Sequence, residues 1–225
     1  MTRNEFLKLL AAGALGAGAP ILLRAENKPN AAKHEPVKHE PPKRAPVVIG
    51  IIGDPGVGKT ALAEVYVNNR FPDTSNPTRG VSNYARTGVK GAGGTAVDVV
   101  VREISCYEAS RGIWPAHFPT LDAVVMVYSM VSPVTFESIK SIYAPALKGY
   151  KGGRIPIVLV GNKSDLGADP QVIKALAAKQ LGVVSMQAGM QRAREIGAGA
   201  ALECSALTKN GVQAVFERAL AAVHA

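Results

Sequence analysis

The sequence predicts an α/β protein in which a mostly parallel six-stranded sheet has one antiparallel edge strand and helices on both faces. Three observations carry that prediction. From Val47 onward, apolar runs of strand length alternate with stretches whose apolar residues fall at helical spacing, as in a parallel sheet covered on both sides. Gly53-Asp54-Pro55-Gly56-Val57-Gly58-Lys59-Thr60 reads G-x-x-x-x-G-K-[ST] and lies between the first such strand and the first helix. Gly91-Ala92-Gly93-Gly94 joins two strand-like stretches at hairpin spacing, which makes one edge antiparallel.

The N-terminal stretch stands apart. Residues 2–8 carry Arg3 and Lys8, residues 9–23 are largely apolar and broken by Pro20, and Arg24 closes the run. A basic start, a short apolar core and small residues follow the grammar of an export signal, and the opening looks like a twin-arginine motif with Asn4 at the second arginine. The run is shorter than the about 20 residues of a comfortable membrane span. A cleaved signal, an interfacial anchor and an apolar tail of another use all stay open at this point. Residues 25–46 are rich in Lys, Glu and Pro, with the near-repeat Lys33-His34-Glu35-Pro36 and Lys38-His39-Glu40-Pro41-Pro42. They hold too few apolar side chains for a core, so a stiff, extended linker is expected. His34 and His39 read as solvated linker residues rather than metal ligands. The domain plan is a signal- or anchor-like segment over 1–24, a disordered linker over 25–46 and a folded domain over 47–225.

The chain of 225 residues is 47% hydrophobic, the composition of a packed globular protein. Of its formal net charge of +9, residues 1–46 contribute +4, from eight Lys and Arg against four Asp and Glu. The remainder is spread out, with no long basic run and no basic–aromatic interleaving, which argues against nucleic-acid binding. Cys106 and Cys204 are too few for a disulfide framework and read as small buried hydrophobes.

Within the domain, residues 47–52 are a β-branched apolar run and read as a buried strand, followed by a helix over 61–67. A loop over 71–80 leads to strands over 84–90 and 95–104. Residues 122–130 form another buried strand. Ser132-Pro133 is a capping residue followed by proline at the first helical position, and opens a helix that runs to about Lys148. A strand over 155–160, helices over 170–181 and 185–196, a short strand over 201–204 and a closing helix over 212–224 complete the chain.

The chemistry follows from the glycine loop. Its glycines let backbone N–H groups turn inward around an anion, and the positive end of the next helix points at the same place. Lys59 would reach the β- and γ-phosphates of a nucleotide, and the Thr60 hydroxyl would ligate Mg²⁺. Asn162-Lys163-Ser164-Asp165 follows a strand, the end of the sheet where ligands sit. The two carboxylate oxygens of Asp165 can accept the N1 and N2 hydrogens of guanine, a donor pair that adenine does not offer. Glu203-Cys204-Ser205-Ala206 follows another short strand, where a backbone N–H would donate to guanine O6. Each motif alone is weak. Together, in this order and each at a strand end, they indicate a P-loop NTPase fold with a guanine-nucleotide site.

On these residues the chain resembles the Ras superfamily of small GTPases, and the Rho family most closely, from Val47 to the end. Phe71-Pro72 and Pro77-Thr78 match the first switch, and residues 169–181 resemble the insert that marks Rho proteins. The resemblance implies that GTP or GDP is held by Gly53, Asp54, Pro55, Gly56, Val57, Gly58, Lys59, Thr60 and Ala61, by Phe71 and Thr78, by Asn162, Lys163, Asp165 and Leu166, and by Ser205, Ala206 and Leu207. It implies that Thr60 and Thr78 hold Mg²⁺, that Lys59 and Thr78 serve catalysis, that Phe71 and Lys163 pack on the base, and that Asn162 braces the phosphate loop. Exchange factors, GTPase-activating proteins and effectors would bind the two switches, and a monomer is expected.

The second switch departs from the family. Glu103-Ile104-Ser105-Cys106-Tyr107 stands where the family has Asp-Thr-Ala-Gly-Gln. Glu103 is one methylene longer than the Asp, Cys106 replaces a glycine that approaches the γ-phosphate, and Tyr107 replaces the Gln that orients the attacking water. Pro55 and Ser75 replace a loop glycine and an aromatic, and Leu207 replaces the usual Lys. The expectation is a guanine-nucleotide switch with slow hydrolysis. The alternative is a non-catalytic GTP-binding module. A nucleoside or small-molecule kinase is a third class, with no evident lid or acceptor site. The chain ends Ala221-Ala222-Val223-His224-Ala225, without the lipid-modified cysteine of Rho proteins, so a membrane tether is expected only through residues 1–24. The cytoplasm, or the cytoplasmic face of a membrane, is favoured over export, because switching needs cytosolic nucleotide.

Overall fold

The computed structural model describes residues 45–72, 80–91, 94–105 and 108–223. The expectations for residues 1–44 and for Ser75, Pro77, Thr78, Cys106, Tyr107 and His224 lie outside the described residues. The strands are β1 (Val47–Ile52), β2 (Val81–Lys90), β3 (Ala96–Ile104), β4 (Ala123–Ser129), β5 (Ile157–Asn162) and β6 (Ala200–Glu203). They form one six-stranded sheet in the order β2-β3-β1-β4-β5-β6. Every pairing is parallel except that of β2 with β3. The chain leaves β1 toward β3 and later returns to β4 on its other side. This reversal of strand order opens a crevice at the carboxyl ends of the strands.

Apolar patterning explains why the sheet is covered twice. All seven residues of β4 are buried, as in a strand with a helical layer on each face. On β1, Ile49 and Ile51 join Leu62 and Val65 of α1 (Lys59–Asn68) and Val215 and Phe216 of α8 (Val212–Val223). Ile52 faces the other way, into a layer with Phe118, Met126, Tyr143 and Ile196. Tyr66 and Phe216 stack at 4.0 Å between centroids and lock α1 to α8. Each fully buried side chain of this size contributes about 1.5–3 kcal/mol.

The structure departs from the sequence reading in several places. β2 starts at Val81 rather than Tyr84, because Val81 still pairs with Ile104. β5 starts at Ile157 rather than 155, since Pro156 has no N–H to give to the ladder. α6 (Pro170–Ala177) stops short of Leu181 because Gln180 turns left-handed at φ 57°. The chain between β3 and β4 also holds two 3-10 turns (Glu108–Ile113 and Phe118–Thr120) flanking α2 (Trp114–His117), pieces too short to show a period in the sequence.

The largest difference lies after Ser132. Instead of one regular helix there are α3 (Pro133–Ser138), a π-helical turn (Ile139–Tyr143) and α4 (Ala144–Lys148). Pro145 is the cause: it lacks an N–H, and its ring crowds the carbonyl four residues back. The wide turn relieves that clash, and the Ala144 N–H reaches back five residues to the carbonyl of Ile139.

Arg192, on α7 (Met186–Ile196), holds α3 in place. Arg192 is 8% exposed, and its guanidinium lies 4.2 Å over the Phe136 ring. It donates to the Phe136 carbonyl at 2.8 Å and to Glu137 at 2.9 Å. Arg192→Met is therefore expected to cost about 1–3 kcal/mol, because the carbonyl loses a charged donor at a buried site. Urea denaturation measures this, and a loss below about 0.5 kcal/mol would show that the contact contributes nothing.

Candidate functional site

The glycine loop runs from the end of β1 into α1. Gly53 has φ 147°, and a Cβ there would lie 2.1 Å from the Val127 carbonyl oxygen, so only glycine fits between β1 and β4. Gly58 takes φ 96° immediately before α1, and a Cβ there would lie 2.5 Å from Nδ2 of Asn162. Glycine offers no side chain to cap the helix, so the first-turn amides of α1 are available to an anion. Lys59 is buried and folds back across the loop, donating to the carbonyls of Gly53 at 2.9 Å and Asp54 at 3.0 Å. Pro55 and Gly56 sit at the exposed crest.

Thr60 is the first hydroxyl inside α1. It donates to Oε1 of Glu103 at 2.8 Å. Parallel pairing sets Glu103 beside Ile51, at the strand end from which the loop rises. Tyr84 pairs with Val101, so the pleat places it diagonally from Glu103 on the same face. Its hydroxyl donates to Oε2 at 3.3 Å. Burial, with the charge and hydrogen bond of Glu103, pushes the Tyr84 phenol up to about 12, so it stays a donor at neutral pH. Glu103 is 2% exposed, and no Lys or Arg among the described residues pairs with it. Two neutral hydroxyls leave the charge of a buried carboxylate only partly offset. The hard oxygens of Thr60 and Glu103 are the donor type that Mg²⁺ takes, and the uncompensated charge favours a cation there. The Glu103 side chain is long enough to bring Oε1 to the Thr60 hydroxyl.

A second group of residues forms a cavity of about 210 Å³ at the carboxyl ends of β1, β5 and β6. Its lining includes Gly58, Ala61, Phe71, Asn162, Lys163, Asp165, Leu166, Ala206 and Leu207. Lys163 takes a left-handed φ of 66° and turns the chain into the short α5 (Ser164–Gly167), bringing Asp165 to the rim. Phe71 and Leu207 are exposed apolar side chains on that rim, 39% and 57% accessible. Asn162 is 1% exposed and joins this cavity to the loop. Its amide donates to the Val57 carbonyl at 2.8 Å, and its oxygen accepts from the Ala206 N–H at 3.1 Å and the Cys204 thiol at 3.6 Å. Burial, and secondarily the charge of Asp165, pushes that thiol up to about 12, so it stays protonated.

The site residues read from the sequence thus fall in one region, with exceptions. Ser205 is buried and ties its own turn, donating to the Asn210 carbonyl at 2.9 Å and accepting from the Thr208 N–H at 3.1 Å. Thr78 and Tyr107 lie outside the described residues. A larger hollow of about 300 Å³, lined in part by Arg154, Pro156 and Arg218, opens at the start of β5 and gathers none of the motif residues. Sequence reasoning missed Tyr84 and Tyr143. The Tyr143 hydroxyl donates to Oδ1 of Asp54 at 2.7 Å, a contact across 89 positions that no local pattern announces. The proline two residues later was the one available signal.

Chemically, the arrangement offers amides and an ammonium for an anion, hard oxygens for a cation, and a flat apolar slot ending in a carboxylate. Residues 48–225 match the family model described as the Ras family.

Asn162→Ala would strip a buried carbonyl and a buried N–H of their partner at once. The expected loss of stability is about 2–4 kcal/mol in chemical denaturation. A loss under about 1 kcal/mol would show that the bridge between loop and cavity is idle.

Proposed function

This chain belongs to the Ras family of GTP-binding small GTPases, and from that premise we propose that it is a Rho-like guanine-nucleotide switch with a degenerate second switch and slow hydrolysis. One observation carries the reading: a single buried amide, Asn162, joins a phosphate-type loop to a cavity that ends in Asp165. The loop amides and Lys59 would gather the phosphates. Asp165 would accept from N1 and N2 of guanine, with Phe71 and Lys163 against the base and the Ala206 amide near O6. The role of Thr78 rests on the motif alone.

Thr60, with Glu103 behind, would help to hold Mg²⁺, whose charge would offset that of the phosphates. In hydrolysis, water attacks the γ-phosphate in line while Lys59 and the loop amides stabilise the growing charge. Tyr107 stands where the family places the water-orienting Gln, and a phenol does not offer that acceptor and donor together. Losing one such group costs about 10²–10³ in rate by analogy with an oxyanion donor. The same substitution, with Cys106 beside it, also favours a second reading, a non-catalytic GTP-binding module.

Residues 47–225 would form the GTPase domain, with residues 1–24 as a tether and 25–46 as the spacer. Among the described residues, no helix is long and apolar enough to cross a membrane. A monomer on the cytoplasmic side, bound by exchange factors, activating proteins and effectors, completes the proposal. Cell fractionation with N-terminal sequencing tests the location, and a mature exported form beginning near Glu26 would overturn it.

Calorimetry with Mg²⁺ is expected to show binding of GTP and GDP. Asp165→Ala should lower the preference for GTP over ATP by about 10–100-fold, the size of one or two hydrogen bonds to a charged group. An unchanged preference defeats the reading. In a single-turnover assay, slow phosphate release that is abolished by Lys59→Ala and accelerated by Tyr107→Gln supports hydrolysis. No release above background from wild type moves the protein to the non-catalytic reading.

A further inference from the structure

The Tyr143–Asp54 contact is not needed for either half of the nucleotide site, yet the structure builds it with care. The ring is 1% exposed, and its hydroxyl reaches the phosphate loop at 2.7 Å. Tyr143 is the last residue of the π-helical turn. An extra residue in that turn re-aims every side chain after it, so the turn forced by Pro145 also sets the direction of Tyr143. Asp54 is then held from two sides: its carboxylate accepts from Tyr143, and its carbonyl accepts from the Lys59 ammonium at 3.0 Å. Movement of Asp54 moves the seat of Lys59.

The other face of Tyr143 meets Trp114, with centroids 5.9 Å apart and planes tilted by 41°. The Trp114 indole donates to the Ser105 carbonyl at 3.1 Å, and the Ser105 N–H donates to the Gly80 carbonyl at 2.8 Å. Ser105 directly follows β3, and Gly80 directly precedes β2. One buried aromatic pair therefore contacts the phosphate loop at one end and the Ser105 carbonyl at the other, and Ser105 in turn is bonded to Gly80 before β2.

We propose that Tyr143 is a positioning residue: its hydroxyl fixes Asp54, and through it Lys59, while its ring carries the same constraint to Trp114 and Ser105. The loop and the end of β3 are thereby set by one shared post. The proposal rests on the reading of the loop as a guanine-nucleotide site. It assigns to the phosphate side of that site a residue from a different helix, 89 positions away.

The test uses the full chain with Mg²⁺ and fluorescently labelled GDP. Tyr143→Phe removes only the hydroxyl. It is expected to speed nucleotide release about tenfold, the equivalent of one hydrogen bond to a charged group. Asp54→Ala should act similarly, and Asp54→Asn, which keeps an oxygen acceptor, should accelerate release less. The double variant Tyr143→Phe/Asp54→Ala should release no faster than the quicker single variant. Arg192→Met loosens the neighbouring α3 without touching the loop and should leave release unchanged. Trp114 is the one tryptophan of the chain, so emission reports on this post alone. The emission difference between the GDP form and the form bound to a non-hydrolysable GTP analogue should shrink in Tyr143→Phe.

The proposal is overturned if Tyr143→Phe releases nucleotide within twofold of wild type, if the two single effects multiply, or if Arg192→Met accelerates release as much. Wild-type protein that retains no guanine nucleotide defeats the nucleotide reading and this proposal with it. A wild type that binds normally beside an unaltered Tyr143→Phe defeats this proposal alone.

Discussion

A single carboxamide holds the nucleotide end of this protein together. Asn162 ends β5, 1% exposed, and spends its amide on the loop after β1 and its oxygen on the turn after β6. These segments are far apart in sequence and come from opposite sides of β4 in the sheet. Without a shared buried partner, each would settle against solvent on its own terms. A carboxamide suits both, since it carries a donor and an acceptor on one rigid plane. An aspartate would lose the donor to Val57, and a leucine would lose both.

The region of Thr60, Glu103 and Tyr84 shows how a buried carboxylate ties together its surroundings. A carboxylate this deeply buried needs compensation. The chain supplies two hydroxyls, one from the helix after the loop and one from the antiparallel edge strand. Glu103 thus sits within a hydrogen-bonded group that links α1, β2 and β3. What reads in the sequence as a deviation from the family is, in the structure, a hydrogen-bonded contact whose charge is only partly offset.

The fold was legible because its signals are local. Continuous apolar runs such as Val47–Ile52 and Ala123–Ser129 mark strands buried on both faces, and Gly91 and Gly94 lie between the antiparallel β2 and β3. The loop motif and Asn162-Lys163-Ser164-Asp165 were legible for the same reason, since each is a short string at a strand end. What escaped was long-range or irregular. Pro145 stood in plain view inside a helical pattern, but whether a proline bends, ends or widens a helix depends on the neighbours that satisfy the freed carbonyls. Tyr143 and Tyr84 acquire their partners only once helices and strands are packed. Ser205 shows the converse: a motif residue that turns inward to stabilise its own turn rather than line the cavity.

β2 has a consequence of its own. Ten residues long, it is the outermost strand of the sheet, and such a border offers unsatisfied backbone groups to any passing chain. Here the ladder slips between Arg86 and Val89, and Gly88 turns to φ 65° and donates its N–H to Asp98. The kink breaks the flat template that strand-by-strand accretion requires, and the exposed cationic Lys90 at the end of the strand disfavours a second copy. The same irregular stitch that spoils the pairing makes the border a poorer template for another strand.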